Sequence, residues 1–343
     1  MRTEDLNAKL AAWPRLRLGV YPTPLEPLSR LSDQLRGSQI WIKRDDSIGL
    51  GIGGNKARKL DYLLADALAQ GKRKVVTFGG LQSNHVRLTA STCASLGLET
   101  HIIHYARKPK EAKGNQLLNR LFGAKIHYVP FGGGSDGTMR VQTTSRLTRM
   151  LAAVLIGPRF YFIPVGGHSP IGCLGYVEAA LEIHRQVLDS GLLDQPVTVV
   201  TAAGTGGTLA GLLAGFHLLR SPIQTLGIDI GRLWKAFPES VANLAGELCA
   251  LLGEPQAFQA DSVPLLEDHY VGPKYAAKMP EAVEAIRLLA QTQGIILDPV
   301  YTGKAFAGLI DLIHRGHFQK GENVIFLHSG GYPAIFAFEE YFS

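Results

Sequence analysis

Two lysines follow a glycine run in GIGGNKARKL (51–60), and Lys56 and Lys59 are the first residues whose type and place could do chemistry. An amine attacks a carbonyl only when deprotonated, and the ordinary lysine pKa of about 10.4 keeps it charged near neutral pH. Lys56 opens an apolar-periodic run, so burial and the positive end of a helix would both lower its pKa. The glycines before it leave bare backbone against which a flat ring can lie. Lys59 stands one position before the stripe that begins at Leu60 and is expected to reach solvent or a neighbouring acid.

A second stretch, VTVVTAAGTGGTLAGLLAGF (197–216), runs a β-branched strand into Gly204, Thr205, Gly206, Gly207 and Thr208, then into a small-residue helix. Glycines let backbone N–H groups turn inward, and the helix start adds partial positive charge, which together cradle a phosphate. The Gly-Lys-Ser/Thr ending of a nucleotide loop is missing, and Leu209 stands where a dinucleotide fingerprint needs its third glycine. A tight strand–helix turn with no ligand is the plain alternative. A carbonyl-attacking lysine and a phosphate cradle with no lysine of its own point together to pyridoxal 5'-phosphate, which carries one aldehyde and one phosphate.

Three further strand–turn–helix junctions could join them. In GGLQSNHVR (79–87), Gln82, Ser83, Asn84 and His85 open a helix and suit a carboxylate or phenolate, although N-capping alone would explain Ser83. LDPVYTGKAFAGL (297–309) offers Tyr301 and Thr302 at a strand or loop end, and VIFLHSGGYPAIFAF (324–338) offers Ser329. No metal site is expected: His101 and His104, three apart on a strand, point to opposite faces.

Such residues need a scaffold that gathers strand ends. LDYLLADAL places Leu60, Leu63, Leu64, Ala67 and Leu68 on one helical face, ended by Gly71. KVVTFGG (74–80) reads as a buried strand, Ser83 as the cap of the next helix and Gly97 as its stop. Strand-like runs follow at 100–105, 125–129, 160–163, 197–202, 225–230 and 323–328. Helical segments lie at 111–122, 138–155, 172–190, 207–220, 281–292 and 303–314. Region 231–280 gives no clear pattern, and FGGGSDG (131–137) reads as a surface loop. The alternation predicts an α/β fold with mostly parallel sheets, in which ligands sit at the carboxyl ends of strands.

The 343 residues suffice for roughly two domains, and 46% hydrophobic against 19% charged residues exclude wholesale disorder. No apolar run approaches the ~20 residues of a membrane span. MRTEDLNAKL has early acids and no apolar core, so no secretory signal is expected. Cys93, Cys173 and Cys249, with no Cys-x-x-Cys, fit a reduced, cytoplasmic protein. The net charge of +6 raises a nucleic-acid partner, but GKRK (71–74) and RKPKEAK (107–113) are short and lack interleaved aromatics. A solvated face is expected instead.

Taken in order, PTPLEPLSRLS, IWIKRDD, GGNKARKL, QSNHVR, IPVGGHSPIGCLGYVEAALEI, GTGGTLAGL, LDPVYTGKAFAGLID and HSGGYPAIFAF resemble the D-cysteine desulfhydrase and 1-aminocyclopropane-1-carboxylate (ACC) deaminase family nearly end to end. These are pyridoxal-phosphate enzymes with the tryptophan-synthase-β-like fold. The resemblance implies two three-layer αβα domains: a larger cofactor domain from residues 1–61 and 179–343, and a smaller inserted one from 62–178. It implies that Lys56 holds the cofactor and moves the proton at Cα, and that Asn84 bonds the phenolic oxygen. Ser83, Asn84 and His85 would hold the substrate carboxylate, and Gly204 to Thr208 the phosphate. Tyr301 and Tyr275 would lie near the substrate, although GPKYAAKMPEA departs from the family's glycine-rich surroundings for the second tyrosine. A homodimer is also implied.

Thr302 and Ser329 choose between the activities. ACC deaminases resemble YEGK and HLGG there, with a glutamate facing the pyridine nitrogen, whereas desulfhydrases have two threonines. A carboxylate keeps the ring a deep electron sink, as opening a cyclopropane requires; a hydroxyl leaves a shallower one, enough to expel sulfide. The chain is therefore expected to be a carbon–sulfur lyase releasing hydrosulfide from D-cysteine, with ACC deamination, sulfite loss from L-cysteate, and a non-catalytic amino-acid binder as the alternatives.

Overall fold

The computed structural model describes residues 1–130, 141–231, 233, 236–266, 270–273 and 275–343, so FGGGSDG lies outside the described residues. In chain order the elements are α1 (Thr3–Ala11), β1 (Leu25–Pro27), α2 (Ser29–Leu35), β2 (Gln39–Lys43), α3 (Lys56–Ala69), β3 (Lys74–Phe78) and α4 (Asn84–Ser95). Next come β4 (Glu99–His104), α5 (Asn115–Leu121), β5 (Lys125–Tyr128), α6 (Val141–Ile156), β6 (Tyr161–Phe162), α7 (Pro170–Asp189) and β7 (Val197–Ala203). The chain closes with α8 (Gly207–Leu219), β8 (Gln224–Asp229), α9 (Phe237–Leu251), β9 (Leu265–Leu266), α10 (Pro280–Gln293), α11 (Thr302–His314) and β10 (Asn323–Leu327). Helix α9 lies within 231–280, the region without a clear residue pattern; no side chain caps its start, and Pro238 sits in its first turn.

Among the described residues the strands make two sheets. One runs β1–β2–β10–β7–β8–β9, parallel except for β1 against β2; the other runs β5–β4–β3–β6 and is parallel throughout. Parallel strands are covered on both faces and so read as continuous apolar runs. Strand β10, wholly buried, pairs Ile325 with Trp41 on one side and Val199 on the other. Helices α10 and α11 pack Ile286, Leu289, Phe306 and Leu309 against Val200, Ile228 and Phe326. On the opposite face Tyr176, Ile183, Leu212 and Phe216 from α7 and α8 meet Val199, Ile325 and Leu327. That burial makes three layers, and at ~25 cal/mol per Å2 of apolar area it is the main term holding them together.

Small residues let α7 and α8 come close: a Cβ on Gly211 would fall 2.4 Å from Tyr176 Cβ, and one on Gly215 2.4 Å from Ala180 Cβ. Helix α3 packs against α7 and α4 and is buried from Ala57 through Ala65, charged residues included. Arg58 is the anchor of its first turn. Its guanidinium donates to Asp45 at 2.8 and 2.9 Å and to Glu182 on α7 at 2.9 and 3.0 Å. Lys43 also donates to Glu182, and Tyr176 donates to Asp45 at 2.6 Å. The end of β2 and the middle of α7 thereby fix where Lys56 stands.

Candidate active site

The turns that follow β3, β7 and β10 and the loop before α3 converge on a cavity of about 280 Å3. Lys56, Ser83, Asn84, His85, the whole run Gly204 to Thr208, Tyr275, Tyr301 and Ser329 line it. Residues scattered over nearly 280 positions of sequence therefore meet in one place, at the carboxyl ends of the strands.

Lys56 is the first residue of α3, and its Nζ donates to Asn55 Oδ1 at 2.9 Å. Asn55, which also lines the cavity, donates from Nδ2 to Thr208 Oγ1 at 3.1 Å and from its backbone N–H to the Ser329 carbonyl at 3.0 Å. One buried asparagine thus ties the amine, the glycine-rich loop and the β10 turn together. Burial, and after it the charge of Lys59, lowers the Lys56 pKa to about 7. An amine so tuned is substantially neutral at physiological pH and can act as nucleophile or base.

Lys59 is not the surface residue expected. It is 1% exposed, and its Nζ donates to the Gly166 carbonyl at 3.1 Å. A Cβ on Gly207 would lie 2.6 Å from that Nζ and 2.7 Å from Cys173 Sγ. The glycine-rich loop therefore backs directly onto a buried lysine, and the expectation of a cradle without one is corrected. The reason is that α3 is buried on more than its apolar stripe, so a residue flanking the stripe faces α7 and the loop, not water.

Ser83 caps α4, accepting from the Val86 N–H at 3.4 Å. The His85 ring is buried with Nε2 2.8 Å from Thr77 Oγ1, and burial followed by the charges of Lys56 and Lys59 holds its pKa well below the usual histidine value. Its ring is neutral and turned to β3, so what His85 can offer a carboxylate is its backbone N–H at the helix start. Asn84 accepts at Oδ1 from Asn115 at 2.8 Å.

Tyr275 and Tyr301 meet edge-to-face, ring centroids 5.9 Å apart, and share a short hydrogen bond between hydroxyls. Tyr275 also packs over Gly80, where a Cβ would come within 3.1 Å of its ring. The altered GPKYAAKMPEA surroundings still deliver that tyrosine to the cavity. Burial raises both phenols, Tyr275 to about 12, so both keep their protons at neutral pH.

Thr302, expected at the cavity, is turned away from it. Its hydroxyl donates to Asp298 Oδ1 at 2.7 Å and accepts from the Asp298 N–H at 2.8 Å. The Asp298 carboxylate also accepts from the N–H groups of Val300, Tyr301 and Thr302 at 2.8 to 3.1 Å. Opening α11 occupies both atoms of Thr302, which leaves Ser329 as the member of that pair that lines the cavity. Asn55 and Asn115, which bond to Lys56 and Asn84, are not among the residues expected at the site. The first stands inside the quoted GGNK motif; the second, in GNQLL, carries no local signal beyond a glycine-led helix start.

These residues fit pyridoxal phosphate. The first turn of α8 carries N–H groups, Thr208 and no acidic residue, which suits a phosphate, and added side chains at Gly206 or Gly207 would strike Val241 or Lys59. A near-neutral amine faces the same cavity as amide and hydroxyl donors, as an aldehyde, a phenolate and a ring nitrogen require.

A family model described as pyridoxal-phosphate dependent enzyme matches residues 16–330. The chain is 41% identical to a D-cysteine desulfhydrase of Klebsiella pneumoniae subsp. pneumoniae over 96% of its own length and 97% of the relative's. It is 42% identical to a D-cysteine desulfhydrase of Yersinia enterocolitica over 97% and 98%. A solved structure described as an ACC deaminase homologue superposes with a TM-score of 0.84 at 37% identity, covering 98% of this chain and 97% of that one. The two sheets, the cavity between their strand ends and these matches agree: the chain belongs to the family of pyridoxal-phosphate-dependent enzymes and has their tryptophan-synthase-β-like fold.

Proposed function

We propose that this chain is a carbon–sulfur lyase that converts D-cysteine and water to pyruvate, hydrogen sulfide and ammonia. The observation that carries it is that Lys56 and Ser329 line one cavity together with the glycine-rich loop. Bound pyridoxal phosphate supplies an electron sink that acidifies the Cα–H of an amino acid joined to it. Lys56 would hold the cofactor's aldehyde carbon, and its amine, near neutral in this cavity, would take the Cα proton. The N–H groups opening α4, with Ser83 and Asn84, hold the substrate carboxylate and orient Cα toward Lys56, and the Asn84 amide would also hold the cofactor's phenolic oxygen. Gly204 to Thr208 hold the phosphate. Tyr301 and Tyr275, protonated and linked, stand ready to hydrogen-bond the departing sulfur. Ser329, a neutral partner for the ring nitrogen, leaves a sink sufficient for losing hydrosulfide, whereas opening a cyclopropane calls for a carboxylate there.

Relatives described as D-cysteine desulfhydrases support this reading, and the solved ACC deaminase homologue keeps ACC as the rival. Product analysis on D- and L-cysteine, L-cysteate and ACC tests it. Pyruvate with sulfide from D-cysteine upholds it; 2-oxobutanoate from ACC without sulfide overturns it, sulfite from L-cysteate alone changes the leaving group, and no turnover favours a binder.

We also propose that residues 62–178 form a smaller domain inserted between 1–61 and 179–343, so that closure over the cavity can gate the substrate. The four-stranded sheet, drawn from residues 74 to 162, supports this, although both limits then fall within helices α3 and α7. A cytoplasmic homodimer completes the proposal. Leu147, Met150 and Val154, spaced along one side of α6 and 57%, 68% and 83% exposed, support a partner surface. Light scattering of the wild type and of Met150→Glu tests it: a dimer that the substitution splits is expected.

A further inference from the structure

The amide of Asn84 lines the cavity, and which of its ends faces a ligand is set from behind. Asn115, fully buried at the start of α5, donates from Nδ2 to Asn84 Oδ1 at 2.8 Å and to the Gln82 carbonyl at 2.8 Å. Its backbone N–H donates to Gln82 Oε1 at 2.9 Å. Beside it, Gln116 Nε2 donates to the Leu81 carbonyl at 2.9 Å, and His104 Nδ1 lies 2.8 Å from the Gly79 carbonyl. Side chains of β4 and α5 thus hold three carbonyls of the 79–82 turn, while Asn115 alone among them reaches the Asn84 side chain.

The two ends of a carboxamide have nearly the same shape, so only partners decide which way it points. With Oδ1 occupied by Asn115, Asn84 has its N–H2 end left to donate. An anionic oxygen is bound by that end and repelled by the other. We propose that Asn115 is a positioning residue for cofactor binding, locking the Asn84 amide with its nitrogen toward the cavity and so setting its hydrogen bond to the phenolic oxygen. The inference rests on the role proposed for Asn84.

A double-mutant cycle on pyridoxal phosphate binding tests it. The apoprotein is titrated with the cofactor, followed by its visible absorption, in wild type, Asn115→Leu, Asn84→Ala and the double variant. Each single variant is expected to bind about tenfold more weakly, as loss of one hydrogen bond to a charged group implies. The double variant is expected to bind no more weakly than Asn84→Ala, because Asn115 has nothing left to position. The pH midpoint of the visible band should shift alike in both single variants. Additive losses in the double variant, or Asn115→Leu binding as wild type does, would overturn the inference while leaving Asn84 in place. A silent Asn84→Ala would overturn the role of Asn84 and this inference with it. Should Asn115→Leu fail to fold, Asn115→Ser carries the same cycle.

Discussion

Lys59 stands one helical turn beyond Lys56 on α3, and after burial its charge is the next largest influence holding the Lys56 amine near pH 7. Two lysines that sequence separates into chemistry and surface are one electrostatic pair. Removing a positive neighbour favours the charged form of the amine that remains. Lys59→Met is therefore expected to raise the Lys56 pKa. Uptake of pyridoxal phosphate by the apoprotein, followed across pH, should reach half its maximal rate near pH 7 in wild type and at higher pH in the variant. An unmoved midpoint would show that burial alone sets the amine.

Gly207→Ala would push a methyl group into the space between the loop, Lys59 Nζ and Cys173 Sγ. The loop must shift or the lysine must move, and either disturbs the phosphate cradle. Affinity for pyridoxal phosphate is expected to fall at least about tenfold, roughly 1.4 kcal/mol, in an equilibrium titration. Unchanged affinity would place the phosphate elsewhere.

Thr302→Val and Ser329→Ala should separate stability from chemistry. Thr302→Val removes a hydroxyl that both gives to and takes from Asp298. It is expected to cost about 1–3 kcal/mol in urea unfolding, the penalty of unpaired buried polar groups, with the spectrum of the bound cofactor retained. Ser329→Ala, at the cavity, should alter that spectrum and lower turnover with little loss of stability. The opposite pattern would return Thr302 to the site.

The helix–strand alternation from residue 60 onward, the Ser83 cap and the strand–glycine junctions after β3, β7 and β10 are legible because each is written in local residue types, whereas 297–309 enters α11 from the loop after α10 rather than from a strand. Lys59 and Thr302 were misplaced for a different reason. Their types fit the expected roles, and only the packing of α3 against α7, or the turn closed by Asp298, decides where their polar atoms go. Helix α9 and the two-residue strand β9 were unreadable: the one starts without a capping side chain, the other is too short to show alternation. Asn115 lies 31 residues from Asn84, and nothing local announces the contact.

The ion cluster behind Lys56 predicts acid sensitivity. Burial alone would raise the Glu182 pKa, but Arg58 and Lys43 outweigh it and hold it at about 2, below the ordinary value of 4.5. A carboxylate depressed in the folded state stabilises the fold above its unfolded pKa, and that stability is lost as pH falls through the folded value. Wild-type stability should therefore decline as pH falls from about 4.5 toward about 2. Arg58→Ala should cost about 3–5 kcal/mol at neutral pH by leaving buried carboxylates uncompensated, and flatten that acid limb. Urea unfolding at several pH values measures both; an unchanged acid limb would remove Arg58 from the account.

The most direct test of the proposed activity is one assay: purified protein loaded with pyridoxal phosphate, given D-cysteine and, in parallel, ACC, with sulfide, pyruvate and 2-oxobutanoate measured. Sulfide and pyruvate in equal amounts from D-cysteine, nothing from ACC, and loss of both products in Lys56→Ala are expected. Formation of 2-oxobutanoate from ACC with no sulfide from D-cysteine would contradict the assignment drawn from Ser329.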